Sequence, residues 1–322
     1  MDLEIDRDLL SEFELQLDPK HPEACAVPTK VLGYGEISTV FEIGTGAQAQ
    51  VAYKRMPIFE TESELDGYRW IFKEYNKLLA DVGLTLPRST NGTVPGCDGS
   101  PVMFLAQDRL DPASIGNSVI HAVSAADTVR LITAVLGELS KVWDFNAQQD
   151  EVELGIDGQI SNWAVGGFDA GDPRLEEKIE LLYLDTSTPF IRVGGEEQLD
   201  PELFLRSAPS FLVWILRMLF LEDVMTRYYD FRLVAIDLIA NFYKEQLPGQ
   251  IPALVAAAND FFERVVPSFG IEPLTDKEIK SYYREDAVIW RLYLSMRKTD
   301  RFLRTTLTRK GYPFVLPGKI KR

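Results

Sequence analysis

The sequence predicts an α+β protein in two parts, a small β-rich region followed by a larger helical one. Three strand-like segments joined by glycine turns occupy residues 31–55. Apolar residues at helical spacing cover residues 62–80, and longer stretches of the same kind cover residues 125–143 and 209–246. This order of elements predicts one bilobal unit with a cleft between its parts, and ligands commonly bind in such clefts.

Changes in these patterns divide the chain of 322 residues into three predicted parts. Residues 1–29 form an acidic N-terminal extension. Residues 30–108 form the β-rich lobe, whose last strand is predicted at residues 101–106, while Asn91-Gly92-Thr93 favours a turn. Residues 109–322 form the helical lobe and end in a basic tail.

The charge is unevenly distributed along the chain. The whole sequence has 34 basic and 49 acidic residues and a net charge of -15, which argues against general binding to nucleic acid. Residues 284–322 alone carry 11 basic and 3 acidic residues, a net charge of +8. The simplest interpretation is that this basic segment docks on the acidic remainder, and the alternative is that it binds an anionic acceptor or partner.

Few residues suited to metal or disulfide chemistry are present. Cys25 and Cys97 are the two cysteines, and His21 and His121 are the two histidines. This composition disfavours a disulfide framework, a zinc site and a Ser/His/Asp hydrolase. The N-terminus lacks the pattern of an export signal, and the apolar run 211–221 is too short to span a bilayer. We therefore expect a cytoplasmic protein without a transmembrane segment, in which this run is a buried helix; its oligomeric state stays open.

A glycine turn and a strand lysine are the first candidates for a ligand site. Gly33 and Gly35 lie between two predicted strands, where missing Cβ atoms allow close backbone approach. Lys54 follows on a strand that places it on the same side as Ala52, and an inward lysine requires a partner such as Glu74 on the next helix. Taken singly, a glycine turn is also typical of a plain hairpin, and both charges are also typical of a solvated surface.

Three further polar residues follow in the helical part. Asp157 and Asn162 lie five positions apart, and Asp185 comes after the second strand of a hairpin predicted at residues 162–165 and 179–184. A carboxylate can accept a proton from a hydroxyl group. An amide and a second carboxylate supply the oxygen ligands that Mg²⁺ prefers. Taken alone, each aspartate is more typical of a loop or a helix cap.

In this order, these motifs resemble the protein-kinase-like superfamily, over about residues 30–190. The helix that carries Glu74, with Gly83 and Pro87 after it, looks like that of aminoglycoside and choline kinases. The resemblance implies a bilobal fold with ATP under the glycine turn and its adenine near residues 104–108. It implies nucleotide-binding roles for Gly33, Gly35, Val40, Ala52, Lys54 and Glu74.

The resemblance also implies a mechanism. Asp157 would be the catalytic base for an acceptor hydroxyl, and Asn162 and Asp185 would hold Mg²⁺. The predicted function is ATP-dependent phosphorylation of an unidentified, small-molecule acceptor. Two departures favour the alternative of a nucleotide-binding pseudokinase that acts as a regulatory or interaction module. Gly155 and Ile156 replace the usual His and Arg, and Thr186 follows Asp185 where Phe is usual.

The acceptor is not identified by the sequence. Residues that either line its site or form an ordinary helix face are Tyr228, Tyr229, Asp230, Arg232 and Asp237. Nucleotidyl transfer and protein phosphorylation are less favoured hypotheses. The glycine turn lacks the basic residues that nucleotidyl transfer needs, and Gln159 stands where protein kinases typically have lysine.

Overall fold

The computed structural model confirms the α+β fold class, with a β-sheet region followed by a helical region. The apolar run predicted as a buried helix, residues 211–221, lies outside the described part of the chain. None of the helices in the described part is long and apolar enough to cross a bilayer. The structure describes residues 3–35, 37–200, 202–206, 225–308 and 311–318.

The first region is a five-stranded antiparallel sheet with the strand order β1-β2-β3-β5-β4. Its strands are β1 (Thr29–Tyr34), β2 (Thr39–Ile43), β3 (Val51–Met56), β4 (Ser89–Pro95) and β5 (Pro101–Asp108). Lys54 on β3 lies opposite Val40 on β2 and Leu105 on β5, so it is central in the sheet. The prediction of a turn at residues 91–93 is wrong, because these residues pair with β5 as part of a regular strand.

Both faces of this sheet are covered by helices. Successive residues of β5 point to opposite faces, because side chains alternate along a strand. Phe104 packs on one face with Phe13 of α1 (Arg7–Gln16), at 6.1 Å between ring centroids. Met103 packs on the other face in the cluster that contains Tyr68 of α2 (Glu62–Asp81). The acidic N-terminal segment therefore supplies one layer of the sheet region.

Helix α2 joins the sheet region to the helical region. It begins at Thr61, whose side chain caps the backbone N–H of Glu64, and Gly83 follows its end with a φ of +96°. Tyr68 belongs to the core of the sheet region, whereas Tyr75, two turns later, belongs to the core of the helical region. One face of a single helix thus contacts both cores.

The second region contains most of the helices and two small groups of strands, one of three strands and one of two. The helices are α3 (Gly116–Ala122), α4 (Ala125–Asn146), α5 (Glu202–Leu205), α6 (Phe231–Lys244), α7 (Ile251–Arg264) and α8 (Asp276–Phe302), which continues as a π-helical turn, Leu303–Thr308. The strands are β6 (Val152–Leu154), β7 (Trp163–Val165), β8 (Leu181–Tyr183), β9 (Ile191–Val193) and β10 (Glu196–Glu197). β7 pairs with β8 in antiparallel orientation, which confirms the predicted hairpin.

After α8 the chain returns to the sheet region. Tyr312 and Phe314 join the sheet core, and buried Arg297 of α8 donates to the Tyr312 hydroxyl at 3.3 Å. Arg55 on β3 forms a buried ion pair with Glu14 of α1 at 2.5 Å and donates to the Pro313 carbonyl at 2.6 Å. One arginine therefore connects the N-terminal helix, the sheet and the C-terminal segment.

Candidate active site

A cleft of about 360 Å³ lies between the sheet region and the helical region. Its walls come from the turn after β1, from β3, and from the two loops that flank the β7–β8 hairpin. The predicted site residues that line this cleft are Gly35, Lys54, Asp157, Asn162 and Asp185.

Lys54 and Asp185 are in direct contact across the cleft. The Lys54 ammonium donates to Asp185 Oδ1 at 2.7 Å and to the Ser187 hydroxyl at 2.6 Å. Burial alone would raise the pKa of Asp185, but the Lys54 charge and the hydrogen bonds from Lys54 and Ser187 outweigh burial and lower it. Asp185 is therefore an ionised carboxylate at neutral pH.

Two tyrosines of α2 hold the loops that carry the aspartates. The Tyr68 hydroxyl donates to the Ser187 carbonyl at 2.7 Å, and the Tyr75 hydroxyl donates to the Gly155 carbonyl at 2.8 Å. Both hydroxyls are buried, and burial raises the pKa of each well above its usual range. They consequently remain protonated donors, and the helix is bonded to both loops.

Gly155 explains one departure from the expected motif. A Cβ atom at this position would lie 2.9 Å from the Tyr228 carbonyl oxygen and 3.0 Å from Phe190 Cβ. Its backbone N–H donates to the Phe190 carbonyl at 3.0 Å, so the segment cannot shift away easily. No side chain, and least of all the expected histidine, fits here without rearrangement.

Asp157 lies near a second carboxylate of the cleft, that of Asp237. Burial, followed by the charge of Asp237, raises the pKa of Asp157 to about 7. Its Oδ1 accepts the backbone N–H of Gln159 at 3.0 Å, which fixes the carboxyl orientation. A carboxylate with a pKa near neutrality is suited to general base catalysis.

Asn162 supports the same loop from its other end. Its side-chain nitrogen donates to the Asp157 carbonyl at 3.3 Å, and its backbone carbonyl accepts the N–H of Leu184 at 2.8 Å. The amide oxygen is the group left for a ligand. Together with the ionised Asp185 it forms a set of hard oxygen donors, which fits Mg²⁺ if phosphate and water supply the remaining ligands.

The expected ion pair between Lys54 and Glu74 is not formed. Glu74 instead lies 3.5 Å from Lys77 on the same helix, and its side chain is one-third exposed. The reason is geometric: adjacent helix residues differ in direction by about 100°, and Tyr75 occupies the face that points to the cleft loops.

The glycine turn and its strands contribute unequally to the cleft. Gly35 lines it, and a Cβ there would lie 2.7 Å from Ser38 Oγ, whose backbone carbonyl accepts the Gly35 N–H. Gly33, Val40 and Ala52 are not among its lining residues in the described part of the chain. Ala52 lies two residues before Lys54 on β3 and is buried.

A family model described as "Family of unknown function (DUF6206)" matches residues 20–301. The chain belongs to this family. A search of curated proteins finds no significant match.

Two solved structures are similar to this DUF6206 chain at low identity. One, "WaaP in complex with acyl carrier protein", is 12% identical, with 74% of this chain and 90% of that chain covered and a TM-score of 0.32. The other, "Structure of the GDP complex of wild-type aminoglycoside 2'-phosphotransferase-IIIa", is 9% identical, with 82% and 95% covered and a TM-score of 0.34.

The residues weighed as acceptor-site candidates separate into two groups in this DUF6206 member. Tyr228 and Asp237 line the cleft. The other three have structural contacts: Tyr229 donates to Glu197 at 2.8 Å, Asp230 caps α6, and Arg232 pairs with Glu278 at 2.7 Å.

Sequence reasoning missed Tyr68, Tyr75, Ser187 and Asn241 as site residues. A signal existed for the tyrosines, since both fall on the apolar face of α2, seven residues apart. For Ser187 and Asn241 the local sequence contains no comparable signal, because only the fold brings them to the cleft.

Proposed function

We propose that the protein transfers a phosphoryl group from ATP to a hydroxyl group of a small molecule. The observation that carries this proposal is the convergence of Lys54, Asp157, Asn162 and Asp185 on one cleft. These residues lie up to 131 positions apart in sequence, yet Lys54 and Asp185 are in direct contact. A lysine, a metal-ligand pair and a base of raised pKa are the groups that phosphoryl transfer needs.

In this proposal Asp157 accepts the proton of the acceptor hydroxyl. As the acceptor oxygen bonds to the γ-phosphorus of ATP, the bond from that phosphorus to the bridging oxygen breaks and ADP leaves. With a pKa of about 7, Asp157 is partly ionised at neutral pH and holds the proton well after transfer. The carboxyl is held by the Gln159 backbone N–H, which limits its rotation.

Lys54 and Asp185 would bind the charged end of the nucleotide. The Lys54 ammonium lines the cleft, where it can contact phosphate oxygens while it stays near Asp185. Asn162 and Asp185 would hold Mg²⁺, which when bound neutralises charge on the phosphates. The two α2 tyrosines keep the loops of these residues at a fixed distance from the sheet.

A nucleotide-binding module without phosphoryl transfer is the second candidate. It is favoured by the direct bond between Lys54 and Asp185, together with the position of Glu74 away from both. In this case the cleft would bind nucleotide and change the conformation or partners of the protein. The two candidates differ in one property, the need for Asp157 as a base.

Nucleotide binding is the first test of both candidates. A ligand present at 100 times its Kd stabilises the folded state by about 2.7 kcal/mol, so MgATP should raise the Tm in differential scanning fluorimetry. Lys54→Met should lose most of this increase. Lys73→Met is the matched control, because Lys73 is an exposed lysine of α2 outside the cleft. Unchanged Tm of the wild type at every MgATP concentration would reject both candidates.

Turnover separates the two candidates. The wild type should hydrolyse ATP slowly without acceptor, and Asp157→Asn should reduce this rate at least about 100-fold, the contribution expected of a general base. The same variant should still gain stability from MgATP. Equal background rates for wild type and variant, with MgATP binding intact, would favour the module without transfer.

A further inference from the structure

Beyond the loop that carries Asp157 and Asn162, called the catalytic loop below, the cleft continues as a groove between two helices. One wall is the face of α6 formed by Asp237, Ala240, Asn241 and Lys244, whose spacing of three and four residues places them in one row. The opposite wall belongs to α8 and includes Tyr282, Asp286 and Trp290. We call this part of the cleft the helical groove.

Asn241 lines the helical groove and has an unsatisfied hydrogen-bond acceptor. Its side chain is only 5% exposed, and its nitrogen donates to the Asp237 backbone carbonyl at 2.9 Å. Its Oδ1 is buried and has no hydrogen-bond partner within the described residues. A buried oxygen without a partner destabilises a protein by about 1–3 kcal/mol, so this position favours a bound molecule that donates a hydrogen bond.

The helical groove lies next to the catalytic carboxylate. The Gln159 side chain interacts with the Asp237 carboxylate, and the Gln159 backbone N–H bonds Asp157 at 3.0 Å. Gln159 therefore lies close to both aspartates. A molecule bonded to Asp237 and Asn241 would have its next functional group close to Asp157.

The charges of the helical groove are balanced. In the described part of the chain, its charged lining residues beyond the catalytic loop are Asp237, Asp286, Arg227 and Lys244. Two acidic and two basic side chains give no net attraction for a cation or an anion. A cationic group attracted to the two aspartates is repelled by Lys244 and Arg227, and an anionic group attracted to the two basic residues is repelled by the aspartates, so neither sign of charge gains a net attraction.

Aromatic rings complete the helical groove. Tyr282 and Trp290 line α8's side, and Arg227 donates to the Tyr282 hydroxyl at 3.0 Å, which fixes that ring. Ala240 also lines the groove and adds a short apolar side chain. Rings beside hydrogen-bonding groups of both kinds suit a compact molecule with apolar faces and hydroxyl edges, because a hydroxyl both donates and accepts.

We propose that the helical groove is the acceptor subsite and that the acceptor is a neutral polyhydroxylated ring compound, such as a sugar or cyclitol. One of its hydroxyl groups donates to Asn241 Oδ1, a second bonds Asp237, and a third meets Asp157. This inference rests on the proposed phosphotransferase function and specifies the substrate class of the same site.

The test is a titration with three sugars of one ring geometry: D-glucose, D-glucosamine and D-glucuronate, which are neutral, cationic and anionic. Saturation-transfer NMR with Mg²⁺ and a non-hydrolysable ATP analogue measures each affinity. We expect D-glucose to bind at least about tenfold more tightly than either charged sugar, the effect of one unfavourable contact. Tighter binding of a charged sugar, or no binding of any of the three, overturns the inference.

Variants assign the binding to the helical groove. Asn241→Leu should weaken D-glucose binding about tenfold, because the oxygen acceptor is lost. Asn241→Asp keeps an oxygen and adds negative charge, so it should shift the preference toward D-glucosamine. Lys244→Met should produce the same shift, and exposed Lys280 supplies the control Lys280→Met. Wild-type affinities and preference in all three groove variants would overturn the inference.

Failure of this inference can be distinguished from failure of the proposed function. MgATP stabilisation of the same samples is measured in parallel by scanning fluorimetry. A protein that gains stability from MgATP and hydrolyses it through Asp157, yet ignores D-glucose, retains the proposed function and loses this inference. A protein that does not bind MgATP loses both.

Discussion

Asp157 makes the stability of the free protein depend on pH in a specific direction. Burial and the charge of Asp237 raise its pKa from 3.8 to about 7 in the folded state. In the unfolded chain the carboxyl regains its ordinary pKa. Between about pH 4 and pH 7 the folded protein therefore holds one more proton at this position than the unfolded chain does.

The size of this change in stability follows from the width of the pH interval between the two pKa values. Where the folded state holds one extra proton, the free energy of unfolding falls by about 1.4 kcal/mol per pH unit. The contribution of Asp157 is thus fully present below about pH 4 and is lost as the pH rises to about 7, a total on the order of 4 kcal/mol. Asp237, whose pKa is raised to about 6 chiefly by burial, adds a loss of the same sign.

Urea denaturation at a series of pH values, in EDTA and without nucleotide, measures this loss. The Asp157→Asn variant should show a shallower fall in unfolding free energy from about pH 4 to pH 7 than the wild type. Asp237→Asn should also move the remaining fall to lower pH, because a charge that raises the pKa of Asp157 is gone. Exposed Asp150 supplies the control, Asp150→Asn. Parallel profiles for the wild type and Asp157→Asn would refute the reasoning.

Three further substitutions test the packing around the site, each by chemical denaturation. Glu14→Ala leaves buried Arg55 without its carboxylate and should destabilise the fold by about 3–5 kcal/mol. The double variant Glu14→Leu with Arg55→Met, which removes both charges, should recover most of the lost stability. A loss below about 1 kcal/mol in Glu14→Ala would contradict the role of this ion pair. Gly155→Ala should destabilise by about 1–3 kcal/mol through contact with the Tyr228 carbonyl. The control is Gly137→Ala on α4, where the added Cβ meets no neighbouring atom, and it should stabilise the protein by up to about 1 kcal/mol. Equal changes in stability for the two glycine variants would exclude the steric explanation for Gly155. Tyr75→Phe should lose about 1 kcal/mol with its bond to the Gly155 carbonyl, and no loss would show that this bond is not stabilising.

Most of the fold was predictable because its signals are local. The apolar spacing at residues 62–80 predicts a helix, and α2 spans Glu62–Asp81. The hairpin of β7 and β8 was predictable from two short apolar runs. β4 was not, because Asn91, Gly92 and Thr93 have the composition of a turn, and pairing with β5 overrides that local preference.

The candidate site was predictable only in part. The spacing of Asp157 and Asn162 indicated a shared loop, and the structure bonds the two residues at 3.3 Å. The partner of Lys54 was not predictable, since the sequence favoured Glu74 as its counter-charge and the structure pairs it with Asp185 instead. Helix geometry decides between them: a helix that buries Tyr75 directs Glu74 about 100° away.

Hydrogen bonds from two tyrosines, and not the expected Lys54–Glu74 ion pair, hold α2 to the site. An ion pair from α2 to Lys54 would fix the helix through a side chain that also has to bind phosphate. Tyr68 and Tyr75 instead bond backbone carbonyls of the two aspartate loops, so these contacts do not depend on the state of Lys54. Lys54 is then free to form its bond with Asp185 or to share it with a nucleotide, without loosening α2. Because a carbonyl is present at every residue, these bonds also do not depend on which side chains the two loops carry.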